Sequence, residues 1–172
     1  QGRDLLSAII YGLRVSLFVG VMSVLLAMGI GVSLGLVAGY VGGWLDNLIM
    51  RIADIQLTFP SILIAMLIFG VLRGIIPPDL RDEMAIFVLI AAIGLSEWVP
   101  FARTVRATTL VEKEKEYVQA ARLIGLRRGQ IMWRHILPNV IGPVLVIATI
   151  TLALAIIAEA TLSFLGVGAP PT

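Results

Sequence analysis

Apolar residues along this chain come in long runs free of charge. Val15 to Leu45 is 31 residues without Asp, Glu, Lys or Arg, Ile55 to Leu72 is 18, and His135 to Ala158 is 24. A fourth run, Met84 to Ala102, has 19 residues and one carboxylate, Glu97. A helix needs about 20 apolar residues to cross a bilayer, so the pattern predicts four crossings in an all-α, polytopic helical bundle. The polar stretch 103–138 lies between the third and fourth runs. Its residues 111–124 have helical spacing, with Tyr117, Ala120, Ala121, Leu123 and Ile124 expected on one side and Gly125 as the stop. A second helix is expected from near Arg128 through Trp133, leading by way of Pro138 and Asn139 into the last crossing.

Composition agrees with a membrane protein. Mean hydropathy is +1.00 and 14% of residues are charged, against about 25% in soluble domains. With no cysteine in the sequence, disulfides, thiolate metal sites and cysteine nucleophiles are excluded. Net charge is +2, but its placement says more than its size. Arg103, Arg106, Lys113, Lys115, Arg122, Arg127, Arg128 and Arg134 are eight of the 13 basic residues, and all lie in 103–138. Four crossings put 41–47 and 103–138 on one side, and 73–83 with both chain ends on the other. The positive-inside bias then makes 103–138 cytoplasmic. Gln1 is no initiator and the first residues lack the zones of a cleaved signal peptide, so the sequence is expected to be the interior of a longer chain. Residues 1–14, with Leu5, Leu6, Ile9, Ile10 and Leu13 between Arg3 and Arg14, are expected as an amphipathic lead-in on the outer side, and 15–172 as the transmembrane domain.

Within the first run, Ser23, Ala27, Gly31, Gly35 and Gly39 recur every four residues. Small residues in such register draw a groove along which helix backbones approach closely in lipid. Pro60, Pro100 and Pro143 are expected to bend or end the other crossings. GIGVSLG lacks the spacing of a phosphate-binding loop and no GxxxxGK[ST] occurs, so no nucleotide site is expected in this chain. Ionisable groups in a crossing are functional candidates by default. Asp54 and Glu97 are expected to pair with Arg51 or Arg103 near the inner interface, and Glu159, near the outer one, to sit solvated or at a helix end or to take part in an outer gate. His135, the only histidine, is read as a packing residue for want of a second metal ligand nearby, and Trp44 and Trp98 as interfacial anchors.

EYVQAARLIGLRRGQIMWRHILPN, residues 116–139, resembles the cytoplasmic EAA loop of permease subunits of binding-protein-dependent ABC importers. Ala120, Ala121, Gly125, Leu137 and Pro138 match that pattern in register, whereas Gln119 stands for its Glu and His135 for its hydrophobic position. The EYVxAAR and RHILPN forms are similar to the dipeptide, oligopeptide and nickel branch, as are GRDLLSAIIYG at 2–12, AGYVGGWLDNLIMRIADIQLTFPSI at 38–62 and EATLSFLGVGAPPT at 159–172. The resemblance implies a type I permease core holding four of six crossings in a prokaryotic plasma membrane. It implies a second permease subunit, two cytoplasmic ATPases that bind ATP and Mg, an extracytoplasmic solute-binding protein and surrounding lipid as partners, with no nucleic acid. It assigns ATPase coupling to Glu116, Tyr117, Gln119, Ala120, Ala121, Arg122, Gly125, His135, Leu137 and Pro138. No catalytic residue, cofactor or metal is implied in this chain. The expected activity is import of di- or oligopeptides, or related solutes such as nickel, by alternating access. Two alternatives are an ion-coupled secondary transporter or channel working through the membrane carboxylates, and a non-transporting scaffold.

Overall fold

The computed structural model describes the backbone of residues 5–165 and side chains from Ile9 onward. It contains helices and turns, with no strand among the described residues. Helix α1 (Leu5–Val41) is one rod of 37 residues, ~55 Å long at 1.5 Å per residue. That exceeds the ~30 Å of bilayer hydrocarbon. Residues 9–14, within the expected lead-in, are helical and continuous with the same rod, with Ile9, Ile10, Tyr11 and Leu13 exposed. Residues 1–4 and the GVGAPPT tail lie outside the described residues.

The second apolar run is not one helix. α2 (Gly43–Leu57) and α3 (Ser61–Ile75) meet at 99°. Pro60 has no N–H to continue α2 and keeps the preceding residue out of the helical region, so the chain turns there. A 3₁₀ turn (Pro78–Leu80) leads into α4 (Arg81–Ser96), and α5 (Trp98–Glu112) follows at 41° after a break at Glu97. Pro100 falls in the first turn of α5, where its missing donor breaks no helical bond. After α6 (Glu116–Leu123), α7 (Arg128–Gln130), a π-helical stretch (Ile131–Ile136) and α8 (Leu137–Phe164) run on as a second rod of 37 residues. The wider π turns lie just before Pro138, whose ring would clash with a regular preceding turn. Pro143 lies inside α8 and does not end it.

α1 and the rod from Arg128 are each long and apolar enough to cross a membrane, and the count reaches four if each bent pair is one crossing. The stretch 103–138 is not a loop throughout. Arg103 to Glu112 belong to α5 and Arg128 onward to the last rod, leaving 113–127 outside them. Hydropathy marks where the apolar run stops, and a helix can continue past that point through polar residues.

α1 is the centre of the bundle, packed against α4, α5 and α8. Ser23, Ala27, Gly31, Gly35 and Gly39 are all buried. A Cβ on Gly31 would lie 2.5 Å from the Trp98 carbonyl oxygen, on Gly35 2.6 Å from that of Ala102, and on Gly39 2.7 Å from Thr109 Cβ. The α1 and α5 backbones thus touch along three turns. Beside them, Arg106 donates from Nε and Nη2 to the two carboxylate oxygens of Asp46, Nη2 to Oδ2 at 2.6 Å, and Arg103 pairs with Asp54. Both partners of the second pair are exposed, so it adds about 0–1 kcal/mol. Glu97 lies at the α4–α5 junction beside Ser61 and makes none of the three ion pairs among the described residues. Trp98 is buried and not an interfacial anchor, its indole N–H donating to Gln56 Oε1 at 2.8 Å. Trp44 is 74% exposed.

Glu159 is buried, 5% exposed, and not solvated. Ser16 Oγ donates to its Oε2 at 2.6 Å and Ser163 Oγ to its Oε1 at 2.8 Å, which fastens α8 to α1. Glu159→Ala should cost roughly 1.5–3 kcal/mol, the usual worth of hydrogen bonds to a charged group. Glu159→Gln should recover part of it, because the amide oxygen still accepts. Thermal unfolding in detergent would show the ranking; equal losses for the two variants would mean that these bonds carry no weight.

Candidate coupling site

Three residues, 113–115, join α5 to α6, and four, 124–127, join α6 to α7. With eight residues, α6 is shorter than the ~12–15 that hold a helix alone in water. Its shape must come from its contacts. Val118 and Ala121, one turn apart, are 0% and 4% exposed and join a core with Ile131, Ile136 and Val140. Gln119, Ala120 and Leu123 face the other way, and Leu123 and the following Ile124 are 88% and 75% exposed. The expected one-sided grouping of Tyr117, Ala120, Ala121, Leu123 and Ile124 is therefore split. Neighbouring residues differ by about 100° around a helix, so Ala121 is packed inward while Ala120 is offered outward.

Both ends of α6 are tied down. Gly125 takes φ +82°, a left-handed conformation that costs glycine little. Leu126 N–H donates to Ala121 O at 3.1 Å and Gly125 N–H to Arg122 O at 3.0 Å, the crossed pair of a Schellman stop. Arg127 N–H donates to Gln130 Oε1 at 3.2 Å, closing the turn into α7. At the other end Glu112, the buried last residue of α5, accepts from Lys115 Nζ at 2.7 Å and from Tyr117 OH at 2.6 Å. The Tyr117 oxygen accepts in turn from Asn139 Nδ2 at 3.2 Å, and Asn139 Nδ2 also donates to His135 O at 2.8 Å. One hydrogen-bonded chain, Glu112–Tyr117–Asn139, links the end of α5, α6 and the start of α8.

Burial, together with the carboxylate accepting its proton, pushes the Tyr117 phenol up to about 12. An acid whose folded value is raised contributes stability that is complete below its unfolded value, ~10, and is lost as pH rises from there through 12. An ultraviolet titration differenced against Tyr117→Phe should place the phenolate midpoint near 12. A midpoint near that of free tyrosine would mean that the link to Glu112 is not made.

The other sequence-predicted residues are dispersed around this short helix. Glu116 is exposed in its first turn, and Gln119 Nε2 donates to Glu114 O at 2.9 Å. Arg122 lies over the Tyr40 ring, 5.2 Å from its centre. His135 sits in the π stretch with Nδ1 3.4 Å from Gln130 O, and Leu137 and Pro138 open α8. Sequence reasoning did not single out Glu112 or the role of Asn139. Within VEKEKE no local cue separates the one buried carboxylate from its solvated neighbours; only the fold does. No group of three or more His, Asp or Glu among the described residues is placed to hold a metal.

Residues 31–172 match the family described as the binding-protein-dependent transport system inner membrane component. The dipeptide transport system permease protein DppC of Alkalihalophilus pseudofirmus is 43% identical over 98% of this chain and 52% of its own length. The glutathione transport system permease protein GsiD of Pectobacterium atrosepticum is 39% identical over 99% of this chain and 53% of its own. The oligopeptide transport system permease protein OppC of Bacillus subtilis is 38% identical over 98% and 52%. The chain spans about half the length of these curated relatives. With the family match running from the C-terminal part of α1 through the last residue, on a bundle of membrane-length helices, this chain belongs to the binding-protein-dependent inner membrane components, the permeases of ABC importers.

Proposed function

We propose that this chain is the core of a permease subunit that carries di- or oligopeptides, or related solutes, inward by alternating access, with α6 as the element that partner ATPases push. The printed names of the relatives, dipeptide, oligopeptide and glutathione permeases, support the cargo class. The observation that carries the mechanical part is the tie at both ends of α6: the Glu112–Tyr117–Asn139 chain at its start and the Gly125 stop at its end. A displaced α6 moves the ends of α5 and α8 with it. Because α5 lies backbone to backbone on α1, the motion passes into the bundle as a rigid-body shift.

On this reading 113–127 faces the cytoplasm, where the basic residues of that segment belong. Leu123, Ile124 and Ala120 form the surface presented to an ATPase, to which this reading assigns the ATP and Mg chemistry. The remaining assigned partners are a second permease subunit and an outer solute-binding protein in a prokaryotic plasma membrane. The test is uptake of a labelled dipeptide into vesicles that carry the full-length subunit with its partners, contain ATP and have no ion gradient. Accumulation is expected; transport driven by a gradient alone would support the ion-coupled alternative and refute this one.

A further inference from the structure

A cavity of about 390 Å³ opens between the C-terminal end of α1 and the α6–α7 turn, lined by Tyr40, Val41, Arg122, Leu126, Arg128 and Ile131. We propose that it is a binding site for a phosphate-bearing anion, with a membrane phospholipid headgroup and free phosphate as the two sources of that chemistry. Two arginines share this space, and neither Arg122 nor Arg128 takes part in the three ion pairs among the described residues. Both guanidiniums line the one cavity, so an anion entering it would meet two cationic forks. A guanidinium offers a planar fork of donors that matches phosphate oxygens, and stacking on Tyr40 restrains that of Arg122. The volume lies in the ~300–1,000 Å³ range of small-ligand pockets.

The position favours a lipid source. Tyr40 and Val41 end α1 three residues before Trp44, whose 74% exposed indole is of the type that gathers at headgroup level. Val41, Leu126 and Ile131 give the cavity an apolar edge beside its two cations, as a headgroup attached to acyl chains requires. Basic pockets at the ends of membrane helices hold anionic headgroups in this way. The cavity lies apart from the Glu112–Tyr117–Asn139 chain, but Arg122 also belongs to the coupling helix α6, so occupancy is read from lipid retention and not from transport.

The experiment uses the full-length subunit assembled with its partners, stripped of lipid and returned to phosphatidylcholine alone or mixed with phosphatidylglycerol. Native mass spectrometry then counts retained lipids. Phosphatidylglycerol should be held in preference to phosphatidylcholine, and Arg122→Gln with Arg128→Gln should weaken retention by roughly tenfold or more, the scale of losing charge-assisted hydrogen bonds. Arg122→Lys with Arg128→Lys keeps the charge and should retain an intermediate amount. Millimolar inorganic phosphate on the unaltered complex separates the sources. Thermal protection by phosphate that vanishes in the glutamine pair, without selective lipid retention, assigns the site to the free anion. If the glutamine pair does not assemble, the lysine pair and phosphate competition decide the question. Equal retention of both lipids with no effect of phosphate, or retention unchanged by the substitutions, overturns the proposal.

Discussion

Replacing Gly35 by leucine is expected to prevent the bundle from forming in its present shape. The added Cβ would lie 2.6 Å from Ala102 O and 2.8 Å from Val105 Cβ, with Arg106 N at 3.1 Å. Two of these three neighbours are backbone, which no rotamer change can move aside, so α1 and α5 must separate. The cost should exceed the ~1–3 kcal/mol typical of an overpacked core, because the separation also weakens the contacts at Gly31 and Gly39 along the same groove. Gly29 is the matched control: a Cβ there meets nothing within 4 Å, so Gly29→Leu should accumulate normally. Both variants add the same side chain to one helix. Protease resistance in isolated membranes would distinguish a face-specific contact from a general need for glycine in α1, and equal behaviour would refute the former.

Charge placed on either of two adjacent alanines of α6 should give opposite phenotypes. Ala121 is 4% exposed in the core that joins α6 to the last rod. Arginine there would be a buried charge without a partner, at about 3–5 kcal/mol, and should loosen α6 from its seat. Ala120 is exposed, so Ala120→Arg should leave the permease folded while blocking the approach of an ATPase. The expected signature is a lowered melting temperature with Ala121→Arg, and a normal one with ATP hydrolysis no longer linked to uptake with Ala120→Arg. Were Ala120→Arg fully active, the outward face of α6 would not be a docking surface.

The two alanines also illustrate what could be read from the sequence. Helical spacing and the Gly125 stop locate α6, because glycine alone takes φ near +82° without strain. Which alanine faces inward depends on where the last rod passes, and that is tertiary information. Charge-free runs locate the apolar segments well but not helix ends or bends. The 99° corner at Pro60 interrupts a run whose hydropathy never falters, and α5 continues to Glu112 through Arg103 and Arg106, whose charges are met by Asp54 and Asp46 of α2. The five-residue groove was visible because its period is local. Glu112, Tyr117 and Asn139 were not visible as a unit: 27 positions separate the first from the last, and only the return of the chain through the π turn brings them together.

The account depends on α6 being gripped by a nucleotide-hydrolysing neighbour. This 172-residue sequence contains no cysteine, so Leu123→Cys introduces one thiol into it at its most exposed apolar position on α6. In the assembled full-length complex, a short thiol-to-amine cross-linker should capture an ATPase subunit from that position, with a yield that changes when ATP is bound. Failure to capture any nucleotide-hydrolysing protein, or modification of the thiol only by reagents applied from the outer side of the membrane, would contradict it.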